Sequence, residues 1–402
     1  MGGTPQPTRS RWAPVAGFVL VSSANQMLWL NFAPITTGTA ARLGVSSATV
    51  GLLAEVFPVI YVLLAVPAGL ALDRWFRPTL ALGALLTAAG AALRLAGHGF
   101  GPILAGQLVV ALAQPAVLTA VTGIATRSLL PADRPVGIAV GSAGTFLGFV
   151  LAFVLGLVFG ATHLHLLLVV SAAYAVAGAA VLLPALGAAA GGDRPTLGAN
   201  RAALHTVWSD PVVRAVCWLV FFGFGVFVAL TTWVQTLLQP AGVTARTADG
   251  LLLAMVGAGI VTAVVVPPLV ATRGRQALVL AVAGVVTCMA CGLLAVAPGA
   301  GVGYASLGLT GFVLLPALPV LLELIEARTG AHAGAATALL WLSGNAGGVV
   351  IALAVQVVVG EPAGAFALLA AVALLALPLA RRLGDRLSGT AGAPVTAEQR
   401  FG

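Results

Sequence analysis

Twelve apolar stretches, each long enough to cross a bilayer and each closed by Gly, Pro or Arg, occupy almost all of this 402-residue chain. They run from about 13 to 35, 47 to 71, 78 to 97, 101 to 125, 136 to 160, 163 to 185, 212 to 238, 248 to 270, 276 to 297, 302 to 325, 333 to 358 and 362 to 381. At 1.5 Å rise per residue, a window of about 20 residues covers the ~30 Å hydrocarbon core. Lipid offers the backbone no hydrogen-bonding partner, so such windows must be helices, and the weak residue-by-residue alternation excludes a β-barrel. Only 7% of the residues are charged, against roughly a quarter in a soluble domain. The expected fold is therefore an all-α membrane protein with twelve transmembrane helices.

The net charge of +8 invites a nucleic-acid reading until the positions of the charges are examined. The chain has no lysine, and its 19 arginines fall between the helices. With an even helix count and both termini inside, Arg42, Arg94 and Arg246 lie outside and the other 16 lie inside. This is the positive-inside asymmetry, so the basic charge reports a multi-pass plasma-membrane (inner-membrane) topology with cytoplasmic termini rather than a polyanionic partner. Residues 1–11 show no removable signal peptide.

One long polar interval, 186–211, separates six spans from six. The expected organisation is a six-helix bundle over 1–185, a cytoplasmic linker over 186–211, a second six-helix bundle over 212–386 and a disordered tail over 387–402. Two repeated halves around a midplane site form the layout of secondary transporters. No phosphate-cradling loop, metal-ligand spacing or nucleophile with a base in reach is present, so the chain is not expected to be an enzyme or to need a cofactor or metal. Cys217, Cys288 and Cys291 are expected to be packing residues, and the five histidines interfacial.

Depth arithmetic sorts the polar residues. Glu55 lies 18 residues before Asp73, about 27 Å along a helix, which places it near the outer mouth as an external gate or a partner for Arg94. Glu323 and Glu326, beside Arg328, fall at the inner end of the tenth span and are expected to be gate charges. Near the midplane stand Asn25, Gln26, Trp29 and Asn31 on the first span, Gln107 and Gln114 on the fourth, and Ser142 and Thr145 on the fifth. The seventh carries Phe224, Phe227, Thr231 and Thr232, and the eleventh Trp341, Ser343 and Asn345. Each could simply bridge helices, yet their clustering on five spans points to a shared cavity. Aromatics and amides without a midplane carboxylate suit a neutral amphiphile, or a quaternary ammonium over ring faces.

The stretch PAGLALDRWFRP, with Gly69, Asp73, Arg74 and Arg77, resembles the loop 2-3 signature of the major facilitator superfamily, G-x-x-x-D-R-x-G-R. Phe76 replaces its second glycine. At the joint of the second half, VATRGRQ keeps Gly274 and Arg275 but has Ala271 where the acid would stand. The resemblance implies two rocking halves, with Asp73, Arg74 and Arg77 as inner-face gate charges. Many proton-coupled members carry an arginine where this chain has Gln107, and the antiporter motif of the fifth span is half present, with Phe149 following Gly148 in place of proline.

Three further stretches, NQMLWLNFAP, GQLVVALAQP and LELIEARTGAHAGAATALLWLSGNAGG, resemble the feline leukaemia virus subgroup C receptor branch (solute carrier family 49). That likeness implies a choline-type site with Trp29 as its first-span wall and Asn345 on the eleventh span, its ring cage thinned by Val228 and Ser142. The chain is thus expected to be a transporter, acting as a monomer in the lipid bilayer, for a small organic solute, either a choline-like cation or a neutral amphiphile. The alternative is a proton-coupled exporter of hydrophobic metabolites or drugs. A receptor would need a larger soluble domain than this chain's longest interval of about 26 residues supplies.

Overall fold

The computed structural model describes residues 11–188, 201–271, 274–329 and 333–391, and every regular element among them is helical. Twelve helical segments are long and apolar enough to cross a membrane. Spans 1 to 6 are Trp12–Leu43, Ser47–Leu72, Phe76–Leu93, Phe100–Ser128, Val136–Phe159 and Leu164–Gly187. Spans 7 to 12 are Pro211–Ala241, Ala245–Pro267, Gln276–Val296, Ala300–Ile325, Ala335–Val357 and Pro362–Leu387. The face at which span 1 begins and span 12 ends is called proximal here, and the other distal.

Two boundaries differ from the sequence expectation. The interval 186–211 contains a short amphipathic helix, Arg201–Ser209, and the last helix continues through Ala391, five residues into the expected tail. In the first of these, Arg201, Ala202, Ala203 and Leu204 sustain helix where polarity alone suggested none. The remainder of the expected linker and tail, 189–200 and 392–402, lies outside the described residues.

The packing partners of the first six spans recur in the last six with every number raised by six. Span 1 packs on 5 and 6, span 2 on 4, and span 3 on 4 and 6; span 7 packs on 11 and 12, span 8 on 10, and span 9 on 10 and 12. A duplicated six-helix unit produces this pattern. The two halves meet along spans 2 and 11 and along spans 5 and 8. Backbones touch where glycine removes the side chain. A Cβ on Gly347 would collide with the carbonyl of Phe221, joining spans 11 and 7, and one on Gly311 with the carbonyl of Met255, joining spans 10 and 8.

Broken helices are repaired by side chains. Span 1 stops being α-helical at Leu30, passes through a 3-10 turn at Ala33–Ile35 that contains Pro34, and resumes at Thr36. Helix-end carbonyls lack intrahelical donors, and the Leu28 carbonyl instead accepts from Gln107 Nε2 at 3.2 Å and Arg94 Nη1 at 3.5 Å. Gln107 Oε1 also accepts from Arg94 Nη1 at 3.0 Å, and Gln107 Nε2 donates to the Leu53 carbonyl at 3.2 Å. Arg94 is fully buried, with its guanidinium 5.2 Å from the centre of the Phe32 ring. One arginine and one glutamine thus tie together spans 1, 2, 3 and 4. In span 2, Pro58 has no N–H for the carbonyl of Ala54, and the Trp29 indole fills the vacancy, donating to it at 2.8 Å.

Loop chemistry explains the remaining joints. After span 2 the helix ends at Trp75 (φ −135°, ψ 60°), and Phe76 is buried under the Arg127 guanidinium at 4.1 Å, so the turn is made without the signature's second glycine. The corresponding turn after span 8 uses Gly274 at φ +60°, a conformation glycine adopts without strain. At the start of span 7, Asp210 caps the helix through Val212 N–H at 2.7 Å and pairs with Arg328 of span 10 at 2.6 Å. Partial burial raises the Asp210 carboxyl, but the Arg328 hydrogen bond and charge and the Val212 and Val213 N–H groups outweigh it and hold the carboxyl below its usual value.

Two predictions follow from this scaffold. Gln107→Leu leaves a buried guanidinium and two carbonyls short of partners, and should lower stability by about 2 to 4 kcal/mol, read as a fall in thermal unfolding temperature of the detergent-solubilised protein. Asp210→Ala should destabilise by about 1 kcal/mol and Asp210→Asn by less, because asparagine still caps. Since the folded carboxyl is depressed, its contribution is present above the ordinary carboxylate value. The gap between wild type and Asp210→Asn should therefore close as pH falls through the folded value.

Candidate functional site

An aromatic cluster spans the two halves at mid-depth. Trp29 stacks on Phe57 of span 2 (centroids 6.1 Å, 22° between planes), meets Phe149 of span 5 edge-on at 5.9 Å and approaches Phe224 of span 7 at 6.3 Å. Phe227 lies 5.6 Å from Phe149 and 5.9 Å from Phe224, and Trp341 of span 11 meets Phe224 edge-on at 5.8 Å. The polar edge of Trp29 is spent on Ala54, so the cluster presents ring faces. On its proximal side opens a space of roughly 480 Å³ between spans 5, 7 and 10, bounded by Phe146, Phe149, Phe224 and Phe227 and, nearer the proximal face, by Leu219 and Leu321. Every residue lining it is glycine, aliphatic or phenylalanine.

The distal side is closed. Gln235 of span 7 accepts from Thr37 N–H at 3.2 Å and donates to Thr37 Oγ1 at 2.8 Å; Thr232 donates to Glu55 Oε1 at 3.3 Å; and the Trp233 ring lies over Gly51. Asp249 of span 8 lies against Gly156 of span 5. Glu55 is 3% and Asp249 2% exposed, and each has one carboxylate oxygen without a hydrogen-bond partner. This seal joins spans 1, 2 and 7, and 5 and 8, across the halves.

The residues singled out in the sequence divide into three groups. Trp29, Phe224, Phe227 and Trp341 come together in the ring cluster. Gln114 is fully buried with neither amide atom partnered, and Gln26 Oε1 and Asn345 Oδ1 are likewise orphaned, while Asn345 Nδ2 donates to the Trp341 carbonyl at 2.9 Å. These amides sit near the middle of spans 4, 1 and 11. Ser142 is half-buried on span 5, beside Gly141.

A second group is engaged within the first half instead of facing a solute. Asn25 donates to Thr87 at 3.4 Å and to the Val110 carbonyl at 3.2 Å. Asn31, with its amide oriented to satisfy its surroundings, donates to the Met27 carbonyl at 2.7 Å and accepts from Arg94 Nη2 at 3.1 Å and Ser171 at 2.9 Å. Gln107 belongs to the Arg94 cross-link described above. Depth along a helix carries no information about which face a side chain occupies.

The expected gate charges form the third group. Glu55 is at the distal seal, but its partner is Thr232 rather than Arg94, which turns into the bundle because the broken span 1 offers it carbonyls. Arg328 reaches Asp210, and Glu323 is exposed. Arg74 lies over the Trp75 ring at 4.8 Å and Arg77 is half-buried. The side chains of Asp73 and Glu326 lie outside the described residues. Sequence reasoning missed Phe57, Phe146 and Phe149, which the i, i+3 spacing on span 5 signals, and Asp249, which stood at the margin of the expected eighth span.

Comparison with known proteins places this geometry. A chain of Archaeoglobus fulgidus, an uncharacterized protein, is 31% identical over 134 residues, and the match spans 33% of this chain and 62% of that relative's length. A crystal structure of a POT family transporter in complex with 5-aminolevulinic acid superposes with a TM-score of 0.75 at 12% identity, covering 94% of this chain and 97% of that one. A bacterial homolog of the human lysosomal transporter Spinster, in an inward-facing and unoccupied conformation, gives 0.66 at 14% identity over 97% and 98%. At such identities the likeness is one of fold. The model of the Major Facilitator Superfamily, however, matches residues 16–352, and the chain, with twelve helices long and apolar enough to cross a membrane, therefore belongs to that superfamily of membrane transporters.

Proposed function

We propose that the chain carries a neutral, amphiphilic small organic solute by alternating access, binding it against the aromatic cluster while the distal seal is closed. The observation that carries this reading is the lining of the central cavity, in which every residue is apolar. A solute entering it gains apolar burial at about 25 cal/mol per Å² and ring contact, and the unpartnered Gln114 amide and Asn345 Oδ1 near mid-depth would receive its few polar groups. A choline-like cation would have the ring faces, worth up to about 2 kcal/mol once desolvated, but among the described residues no carboxylate lines the cavity to balance its charge. The arginine distribution supports placing the proximal face in the cytoplasm, with the protein in the cell membrane.

A second element of this reading concerns protons. Glu55 is buried across the seam between the halves with one oxygen unpartnered. Opening the seal would bring its carboxyl into contact with the distal solution, where it can exchange a proton with water. Its protonation would then be linked to which face is open, as a proton-coupled exporter requires.

Proteoliposomes containing the purified protein test both parts, using labelled choline and a panel of neutral apolar alcohols and ketones, with and without an imposed pH gradient. Saturable movement of a neutral amphiphile is expected, with Phe227→Ala weakening apparent affinity about tenfold. Transport of choline in preference to every neutral compound would overturn the solute class. Glu55→Gln should abolish any response to the pH gradient while leaving downhill movement intact, and an unchanged response would remove Glu55 from coupling.

A further inference from the structure

Behind the central cavity lies a second, partly open one among spans 7, 9, 10 and 12 of the second half. Small residues make room for it: Ala283 and Gly284 on span 9, Ala373 and Ala376 on span 12. Small residues alone only allow helices to approach, but Thr287 of span 9 also lines this space, is 1% exposed, and has a hydroxyl with no hydrogen-bond partner. An unpaired buried hydroxyl costs about 1 to 3 kcal/mol. Among the described residues Thr287 is the only polar one in the lining, whereas a buried water needs two to four polar partners. The pocket therefore suits an apolar molecule bearing a single hydrogen-bonding group.

The two cavities share a wall. Leu219, Gly223, Leu314, Ala317 and Leu321 line both. At Gly223 that wall has no side chain of its own, and Leu314 Cδ1 lies 3.4 Å from where a Cβ would stand. Leu314 is the last residue of the helix Ala300–Leu314; the chain breaks at Leu315 and Pro316 and resumes as Ala317–Thr329. Pro316 supplies no N–H to the carbonyl one turn before it, so Leu314 sits at a discontinuity rather than within a rigid helix. The Leu314 side chain over Gly223 thus stands on the wall that the two spaces share.

We propose that the second cavity is the far end of the solute site, receiving the hydroxyl- or carbonyl-bearing end of an elongated apolar solute whose other end lies on the aromatic cluster, with Thr287 as its hydrogen-bonding partner and Leu314 as the flap between them. This rests on the reading of the central cavity as an amphiphile site, and it extends that site into the interior of one half.

The test uses the full chain in lipid nanodiscs and two photoreactive long-chain aliphatic alcohols, one with a diazirine next to the hydroxyl and one with it at the opposite end. Adducts are mapped by peptide mass spectrometry with and without excess unlabelled alcohol. Competable adducts on spans 9 and 12 from the hydroxyl-end probe, and on spans 5 and 7 from the far-end probe, are expected. Thr287→Val should weaken competition by the alcohol about threefold to tenfold and leave competition by the parent hydrocarbon unchanged. Ala376→Leu should remove the span 9 and 12 adducts and keep the others. Competable adducts confined to spans 5 and 7, indifferent to Thr287→Val, would overturn the second pocket while leaving the central site standing. Adducts that no competitor reduces, scattered over lipid-facing residues such as Met289 and Val296, would overturn both.

Discussion

The absence of water in the bilayer core governs this structure. Every backbone polar group there must find a partner within the protein, so each helix break specifies a side chain that repairs it. Pro58 withholds a donor from the Ala54 carbonyl and Trp29 supplies one; the end of the first helix leaves the Leu28 carbonyl to Gln107 and Arg94. These repairs do more than satisfy hydrogen bonds. The first fixes the plane of the indole on which the aromatic cluster is built, and the second locks four spans together just distal to it. The flexible parts of the molecule are set against an anchored core in the first half.

The two faces of the molecule are held by interactions of different kinds. Distal closure rests on a few polar contacts and close approaches across the halves: Thr37 with Gln235, Glu55 with Thr232, Gly51 beneath Trp233, Asp249 against Gly156. Individually such contacts contribute only about 0.6 to 2 kcal/mol in a membrane, a scale on which a closed state can exchange with an open one. Within the halves, by contrast, glycines admit direct backbone contact, as Gly347 and Gly311 do, so the helices there are in close contact along their backbones. The proposed motion between the halves, with rigidity inside them, draws on this difference. The interrupted tenth span, at the cavity wall, is an exception.

The architecture was legible in the amino-acid sequence because hydrophobic length is a one-dimensional property: all twelve spans were found, and the Asp-Arg signature pointed to the superfamily before any geometry was available. Orientation around each helix axis was not legible, and this is where the site expectations diverged. Gln107 and Gln114 are seven residues apart, nearly on one helical face, yet the first is consumed by Arg94 and two carbonyls while the second has no partner. The difference arises from a break in span 1 that acts only on the distal half of span 4. Asp249 escaped notice because span ends are the least determined feature of a hydropathy pattern. Trp29, Phe224, Phe227 and Trp341 were recoverable because large rings at mid-depth have few places to go other than an interface between the halves.

The central claim, a cavity whose exposure is reciprocal to the distal seal, is tested most directly by thiol accessibility in a background with Cys217, Cys288 and Cys291 replaced by alanine. Leu321→Cys reports the cavity and Gln235→Cys the seal, each measured with a membrane-impermeant maleimide applied from either side. The resting protein should react at 321 from the proximal side and be protected at 235. Adding Gly51→Ala, whose new methyl would stand 2.7 Å from the Trp233 ring, should loosen the seal. Reactivity at 235 from the distal side should then rise as reactivity at 321 falls. Both positions becoming reactive together, or 321 remaining unchanged while 235 opens, would contradict alternating access through this cavity.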